Sequence, residues 1–291
     1  MKTTRDRAIM SRYDFRKPGI KITYGFMVLC IFLISLSMLY PFVNTFLNSL
    51  KSTKEFFTFP APFFPSKFLW ANYKESLSVL NIALYFKNTL FIFLGNSLFS
   101  LTFIGMAAFS LSHLRVPMKK WITLYFLSTL LIPANSYLIP NFLNLKGLGL
   151  LNSYWAYWLP AGANAFFLLL LKNFFDGIHK ELLESARIDG ASEFRSFANI
   201  AIPLSVPILI TLILLGFSTT WNDFYWSSLV MNEDKLPLAA AIYTKVMYTG
   251  STINWNIRFA ILTMTLIPPA VLFLFFQKYI ISGLSVGAVK G

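Results

Sequence analysis

An all-α, polytopic membrane protein with six transmembrane helices is the fold class this sequence predicts, and three observations predict it. Only 13% of the 291 residues are charged, while 56% are hydrophobic and 18% aromatic; a soluble domain carries roughly 25% charged residues. Six apolar runs approach the ~20 residues a helix needs to cross the hydrocarbon core. Sixteen of the 25 Lys and Arg residues fall in segments that six spans would place on one face, the bias of a cytoplasmic side.

Residues 1–21 read as a cytoplasmic N-terminal segment. They are mostly polar and precede a run of full spanning length, which is not the form of a cleavable signal peptide. The first span is Ile22–Val43; Cys30 inside it reads as a small core or lipid-facing residue. The second is Thr89–Leu111. The third is Trp121–Ile139, with Pro133 and Asn135 as kink or packing sites. The fourth is Tyr154–Leu171, softened by Pro160, Gly162 and Asn164. The fifth is roughly Ile202–Thr220 and the sixth Ala260–Phe276. A shorter run, Leu236–Tyr243, cannot span and reads as re-entrant or interfacial. Two outer segments, Asn44–Asn88 and Ser227–Arg258, exceed turns; Pro60, Pro62, Pro65 and many aromatics predict order and contact with another protein.

Basic residues orient the bundle. Seven precede the first span, three lie in Arg115–Lys120, four in Lys172–Arg195 and two in the tail, leaving nine for the other side. Both termini and the Lys172–Arg195 region are therefore expected in the cytoplasm. The net charge of +13 follows from this placement, and without an aromatic-basic recognition module no nucleic-acid partner is expected. His113 and His179 stand far apart with no ligand spacing, so no metal site is expected. No catalytic residue is assigned: the outer acids of the second half, Asp223, Glu233 and Asp234, have no accompanying histidine. The chain lacks G-x-x-x-x-G-K-[ST], so it carries no phosphate cradle of its own.

The charged island Glu181–Pro203 interrupts two apolar runs. Lys180–Ile188 can form two helical turns, with Leu182 and Ala186 on one face and Glu184 three residues from Arg187. Gly190 suits the left-handed position past a helix end, Ser192 is a good N-cap for a second short helix, and Pro203 fits the first turn of the next span. Small residues (Ser185, Ala186, Gly190, Ala191) among acids would admit a partner closely. On these grounds alone a solvated connector and a docking element remain equally open.

The same residues resemble a known family. Glu184-Ser185-Ala186, Gly190 and Ile200-Ala201-Ile202-Pro203 match the spacing of the cytoplasmic loop of ABC importer permeases, with Ser185 for alanine and Ile202 for leucine. Ile188-Asp189-Gly190-Ala191-Ser192 looks like the carbohydrate-uptake branch, with His179 where that branch commonly has proline. Leu148–Tyr154, Trp221-Asn222-Asp223-Phe224 and the tail from Gln277 through Gly291 are similar to the same branch, the tail to permeases like the smaller maltose-system subunit.

That resemblance implies a permease domain over 22–291, with 172–203 as coupling loop and 277–291 as cytoplasmic tail. It implies that Glu184, Ser185, Ala186, Asp189, Gly190 and Ala191 dock on an ATPase, that Gly287 and Lys290 reach the ATPase dimer, and that Asn222 and Asp223 either line the translocation path or outer gate or cap a helix end. The expected partners are a second homologous permease subunit, two cytoplasmic ATPase subunits, an extracytoplasmic sugar-binding protein and membrane lipid, in a bacterial or archaeal plasma (inner) membrane. No cofactor is bound by this chain; ATP and Mg belong to the partner ATPase, and the chain is not itself an enzyme. The cargo implied is a sugar, di- or oligosaccharide. A non-sugar solute such as glycerol phosphate is the alternative. An ion-coupled secondary transporter is a further one, disfavoured because the spans hold almost no ionisable residue and Lys87 and Arg258 lie near span ends. Trp221 and Trp226 are expected as interfacial anchors. Asn88, Asn96, Asn135 and Asn164 are expected to make interhelical hydrogen bonds, worth roughly 1 kcal/mol each, with nothing in the sequence to single one out for the path.

Overall fold

The computed structural model describes residues 18–248 and 252–288, with 278–288 described by backbone. Every regular element among the described residues is helical. Most of the expected N-terminal segment, residues 1–17, lies outside them. Two compact units are present: the chain up to Ser76 with Asn254–Met264, and Leu77–Ile253 with the chain from Thr265.

In the first unit, helix α1 (Pro18–Ser49) contains the expected first span and runs past it. None of its apolar window is buried, and Phe26, Ile31, Phe32 and Leu39 are all more than half exposed. A helix apolar on every side belongs in lipid or against another membrane protein. Its hydroxyls turn back on the backbone: Thr23 donates to Gly19 O, Ser35 to Ile31 O and Thr45 to Pro41 O, which leaves these donors satisfied inside hydrocarbon.

The chain after α1 is ordered, as its prolines and aromatics predict. Asn72, at the start of α2 (Ala71–Val79), donates to Ser49 O at 2.8 Å and Lys51 O at 2.9 Å. Asn256 donates to Asn72 at 3.0 Å and accepts from Thr53 at 3.1 Å. Glu55 receives the amides of Ser52 at 2.6 Å and Ser66 at 2.7 Å, and the Ser52 hydroxyl at 2.8 Å. Partial burial pushes its carboxyl up, but those donors outweigh it and hold the group at about 2, below its ordinary 4.5.

In the second unit, α3 (Ile82–His113) runs 32 residues with a wide π-turn at Ser100–Ile104. α4 (Lys119–Thr129) and α5 (Leu138–Gly147) follow, then α6 (Trp155–Ala161) and α7 (Ala165–Phe175), bent by 40°. α8 (Lys180–Ile188) leads to α9 (Glu193–Leu204) and α10 (Val206–Trp221), bent by 80°. α11 (Tyr225–Val230) and α12 (Leu238–Ala241) precede α13 (Trp255–Ala288). The apolar run at 236–243 supplies α12, whose Leu238, Ala240 and Ala241 are buried. The core gathers Phe109, Leu168, Leu171, Phe175, Leu183, Phe197, Ile208 and Leu212, drawn from α3, α7, α8, α9 and α10. Gly95 lets Trp158 approach closely: a Cβ there would overlap the indole Nε1 and its two ring neighbours.

Among the described residues three helices, α1, α3 and Trp255–Gln277 of α13, are long and apolar enough to cross a membrane, and up to five if each bent pair is one crossing. The expected third span is not one helix. α4 ends at Thr129, and Ala134–Tyr137 forms a separate 3-10 turn before α5. Proline disfavours helical geometry in the residue before it, so Pro133 ends the run where apolar composition alone would continue it. The fifth expected span begins at Val206 with Pro207 in its first turn. Pro203 lies instead in the last turn of α9, ahead of the bend at Ser205. Trp221, expected as an interfacial anchor, is only 9% exposed, stacked on Phe217 and edge-on to Phe86.

Candidate functional site: the charged loop and a polar cavity

The island folds as helix, tight turn, helix. α8 starts after His179, whose side chain makes no cap bond. At its other end Gly190 adopts φ +82°; its amide bonds Arg187 O at 3.0 Å and the Ala191 amide bonds Ala186 O at 2.9 Å. This pair of bonds is the Schellman closure, and it needs a residue tolerant of positive φ. No atom lies within 4 Å of where a Gly190 Cβ would sit, so backbone conformation and not crowding makes glycine fit. Ser192 then caps α9 by accepting the Arg195 amide at 3.2 Å.

Arg187 does not choose Glu184. Its Nε and Nη2 donate to the two carboxylate oxygens of Glu193 at 2.8 and 3.1 Å. The chain reversal at Gly190 brings Glu193 opposite Arg187, and a two-point fork is geometrically better than a contact along one helix. One leucine of α8 anchors the loop. Leu183 is 2% exposed and sits in the core with Ile178 and Phe197, whereas Leu182 is 48% exposed. The adjacent leucines gave no signal to choose between them.

On the free side, Glu184, Ser185, Asp189 and Gly190 are exposed, and Ala186 and Ala191 half-buried. Ile188 at 86% and Phe194 at 67% exposure stand among them. Both are large apolar side chains projecting from a charged loop. The loop is mounted beside α7 and the end of α3: Ser112 Oγ donates to Asp176 at 2.6 Å, and His113 Nε2 pairs with Phe175 O at 2.8 Å. Of the tail residues, Gly287 falls in the last turn of α13, and Lys290 lies outside the described residues.

A second feature is a cavity of about 490 Å³ lined by Asn96, Ser100, Tyr157, Asn164, Ser218, Thr220 and Trp226, among others. Asn96 Nδ2 reaches Thr220 Oγ1 at 3.4 Å, and its buried Oδ1 has no partner. Asn164 caps α7 through the Phe167 amide at 3.0 Å. Of the four asparagines left undistinguished by sequence, Asn96 and Asn164 line this cavity. Asn88 is committed elsewhere, donating to Asp234 O and Leu236 O and accepting from Tyr154, and Asn135 is exposed in the 3-10 turn. Asp223 stands behind the wall: it accepts from Tyr157 OH at 2.6 Å, Ser227 Oγ at 2.8 Å and the Trp226 amide at 3.1 Å. Asn222 bonds Ser218 O at 2.8 Å and lines a separate cavity of about 540 Å³ with Trp221, Thr211 and Pro269. Tyr157 was not foreseen; within the aromatic run Trp155–Trp158 nothing distinguishes it from an interfacial residue.

Residues 82–286 match the family described as binding-protein-dependent transport system inner membrane component. The chain is similar to the arabinooligosaccharides transport system permease protein AraQ of Halalkalibacterium halodurans, 33% identical over 71% of this chain and 74% of that protein. It is also similar to the sn-glycerol-3-phosphate transport system permease protein UgpE of Yersinia pestis, 29% identical over 86% of this chain and 91% of that protein. Among solved structures it is similar to one chain of a bacterial ABC transporter involved in the import of the acidic polysaccharide alginate, with a TM-score of 0.82, 26% identity, and coverage of 94% and 99% of the two chains. The family match spans the polar cavity, the charged loop and most of the described tail, and this protein belongs to the binding-protein-dependent transport system inner membrane components.

Proposed function

We propose that this chain is the permease subunit of an ABC importer for a sugar, working in a bacterial plasma membrane with six spans and both termini in the cytoplasm. Five crossings are α1, α3, the α6–α7 pair, α10 and α13; the sixth is α4 with the chain through Pro133. Two ATPase subunits, hydrolysing ATP with Mg, act on the charged loop, with Glu184, Ser185, Ala186, Asp189, Gly190 and Ala191 as the docking face. A second homologous permease completes the pathway, and a binding protein delivers the cargo from outside. Gly287 and Lys290 belong to a tail that reaches the ATPases. The observation that carries this reading is the loop itself: a rigid helix–Gly–helix unit, mounted by Leu183 on the core of α3, α7 and α10, that holds Ile188 and Phe194 out to solvent.

A sugar is the cargo the cavity suits best. Its lining is mostly apolar, with neutral amides and hydroxyls from Asn96, Ser100, Asn164, Ser218 and Thr220 beside the rings of Tyr157 and Trp226 and no lysine or arginine among its residues, which suits a neutral solute with an apolar ring face better than a phosphate. Asn96, Tyr157 and Thr220 are placed on the path, with Asp223 as the group that orients Tyr157 and Asn222 at the outer mouth. The test is Gly190→Arg in the reconstituted complex. Membrane insertion is expected to persist while binding-protein-stimulated ATP hydrolysis is lost; normal transport by that variant would refute the coupling role.

A further inference from the structure

We propose that the groove between the start of α4 and the end of α7 is a binding site for the headgroup of an anionic phospholipid. The groove encloses about 730 Å³ and is lined by Lys119, Lys120, Trp121, Thr123, Leu124, Leu127 and Lys172. Its two ends differ in chemistry. Lys119 and Lys120 open α4 and Lys172 lies in the last turn of α7, while Trp121, Leu124 and Leu127 continue along α4 at helical spacing, 64%, 50% and 47% exposed. Charge at a helix end, an exposed indole beside it and bare leucines below are the order of groups a phospholipid presents from headgroup to chain.

The depth of the groove follows from its neighbours. The ends of α3 and α7 are tied by the Ser112–Asp176 and His113–Phe175 bonds, and α4 starts six residues after α3 closes. Lysines at such helix ends lie at the headgroup level, stems along the apolar surface and ammoniums toward the polar rim.

The charge balance stays positive. Lys172 pairs with Asp176 at 2.6 Å. Partial burial raises the Asp176 carboxyl, but bonds from Lys172 and Ser112 outweigh it and keep it below its ordinary value, so it remains a carboxylate. Lys119 spends one donor on Ser112 O at 2.9 Å, which fixes its position without neutralising it. Lys120 is exposed. Asp176, Lys119 and Lys180 all act on His113 from the neighbouring elements; Asp176 is the one acid in this set, so two of the groove's three lysines remain as surplus positive charge. A diester phosphate with its chains lying over Leu124 and Leu127 satisfies both halves of the groove.

The experiment uses the assembled transporter, extracted in mild detergent and weighed intact by native mass spectrometry after exposure to phosphatidylglycerol. Lys120→Gln is chosen because Lys119 and Lys172 also hold protein groups. One lysine near an anionic surface corresponds to about a fivefold change in retention. Lys120→Gln is therefore expected to lower retained phosphatidylglycerol about fivefold, Lys120→Arg to keep it, and Lys146→Gln to leave it unchanged. Brominated phosphatidylglycerol is expected to quench fluorescence that disappears in Trp121→Phe. Equal retention by wild type and Lys120→Gln overturns the proposal. So does displacement of the lipid by inorganic phosphate at low concentration, which would mark a soluble-anion site. A Leu124→Cys cross-link to the second permease would place protein in the groove and overturn it as well.

Discussion

Replacing Ile188 by serine separates docking from folding. The side chain is 86% exposed, so the protein alone loses almost no buried area and its thermal unfolding is expected to stay within a degree or two of wild type. If the loop seats on an ATPase subunit, nearly the whole side chain becomes available for burial there. Full burial of an isoleucine is worth about 2 kcal/mol, which corresponds to roughly 30-fold in affinity. The neighbouring Leu183, 2% exposed, is the internal control. Leu183→Ala is expected to destabilise the loop mount by about 2–5 kcal/mol if its pocket cannot collapse, and so to move both unfolding and binding. The assay is association of the purified ATPase subunit with nanodisc-embedded permease, read beside a thermal melt. An Ile188→Ser variant that binds with wild-type affinity would refute the docking face, because no other change in the loop could replace that area.

Three further outcomes follow from the geometry. Gly95→Ala places a methyl in overlap with the Trp158 Nε1 edge; a loss of about 1–3 kcal/mol is expected for overpacking, seen as a lower melting temperature that partly recovers in a Trp158→Leu background. Asn96→Leu removes a cavity amide whose Oδ1 has no protein partner; if a sugar hydroxyl bonds it, about 1 kcal/mol or roughly fivefold in transport KM is expected to go, with complex assembly unchanged. Glu55 sits at about 2 against an ordinary 4.5. A depressed carboxylate gives its support in full above the ordinary value and loses it as pH falls toward 2, so protection of the Ser52 and Ser66 amides, measured against their intrinsic exchange rate at each pH, is expected to be full at neutral pH, to decline below about 4.5, and to be low at neutral pH in Glu55→Gln.

What the sequence made legible was set by signals that act along the chain. α1 and α13 follow from long apolar runs. Gly190 follows because positive φ favours one residue type, and Ser192 because its hydroxyl answers a local amide. Features that depend on distant parts of the chain were hidden. Hydropathy does not distinguish helix from irregular apolar backbone, so the stop at Thr129 was absorbed into a span. The 80° bend at Ser205 lies between Pro203 and Pro207, and one proline read alone placed the span start too early. Arg187 had an acid three residues away and a better one across the turn. Trp221 looked interfacial because tryptophan at a span end usually is, while Phe217 and Phe86 enclose it. The cavity was unreadable for the same reason: Asn96, Tyr157, Asn164 and Thr220 come from four helices.

The loop and the cavity share their scaffold, which bears on how force on one reaches the other. Leu183 of α8 and Phe197 of α9 lie in the same core as Leu168 and Leu171 of α7 and Ile208 and Leu212 of α10. Asn164 caps the far end of α7, and Thr220 lies near the far end of α10. α10 has 16 residues and so spans about 24 Å. A displacement of the loop has close-packed side chains on every route into these helices, and such packing responds by moving as a unit, not by yielding locally. Two π-turns sit at this junction, apart from a third at Ile242–Val246: Ser100–Ile104 in α3 and Phe197–Ala201 in α9, with the Phe197 ring 3.3 Å from where a Gly105 Cβ would be. Wide turns hold fewer regular bonds than α-helix and are the places where a helix can re-register. The buried hydroxyls of Ser196, in α9, and Ser205, at the bend itself, have no hydrogen-bond partner. A mount packed into the core by Leu183 and Phe197, two wide turns and two unpartnered hydroxyls thus gather where the loop meets the helices that carry Asn96 and Thr220.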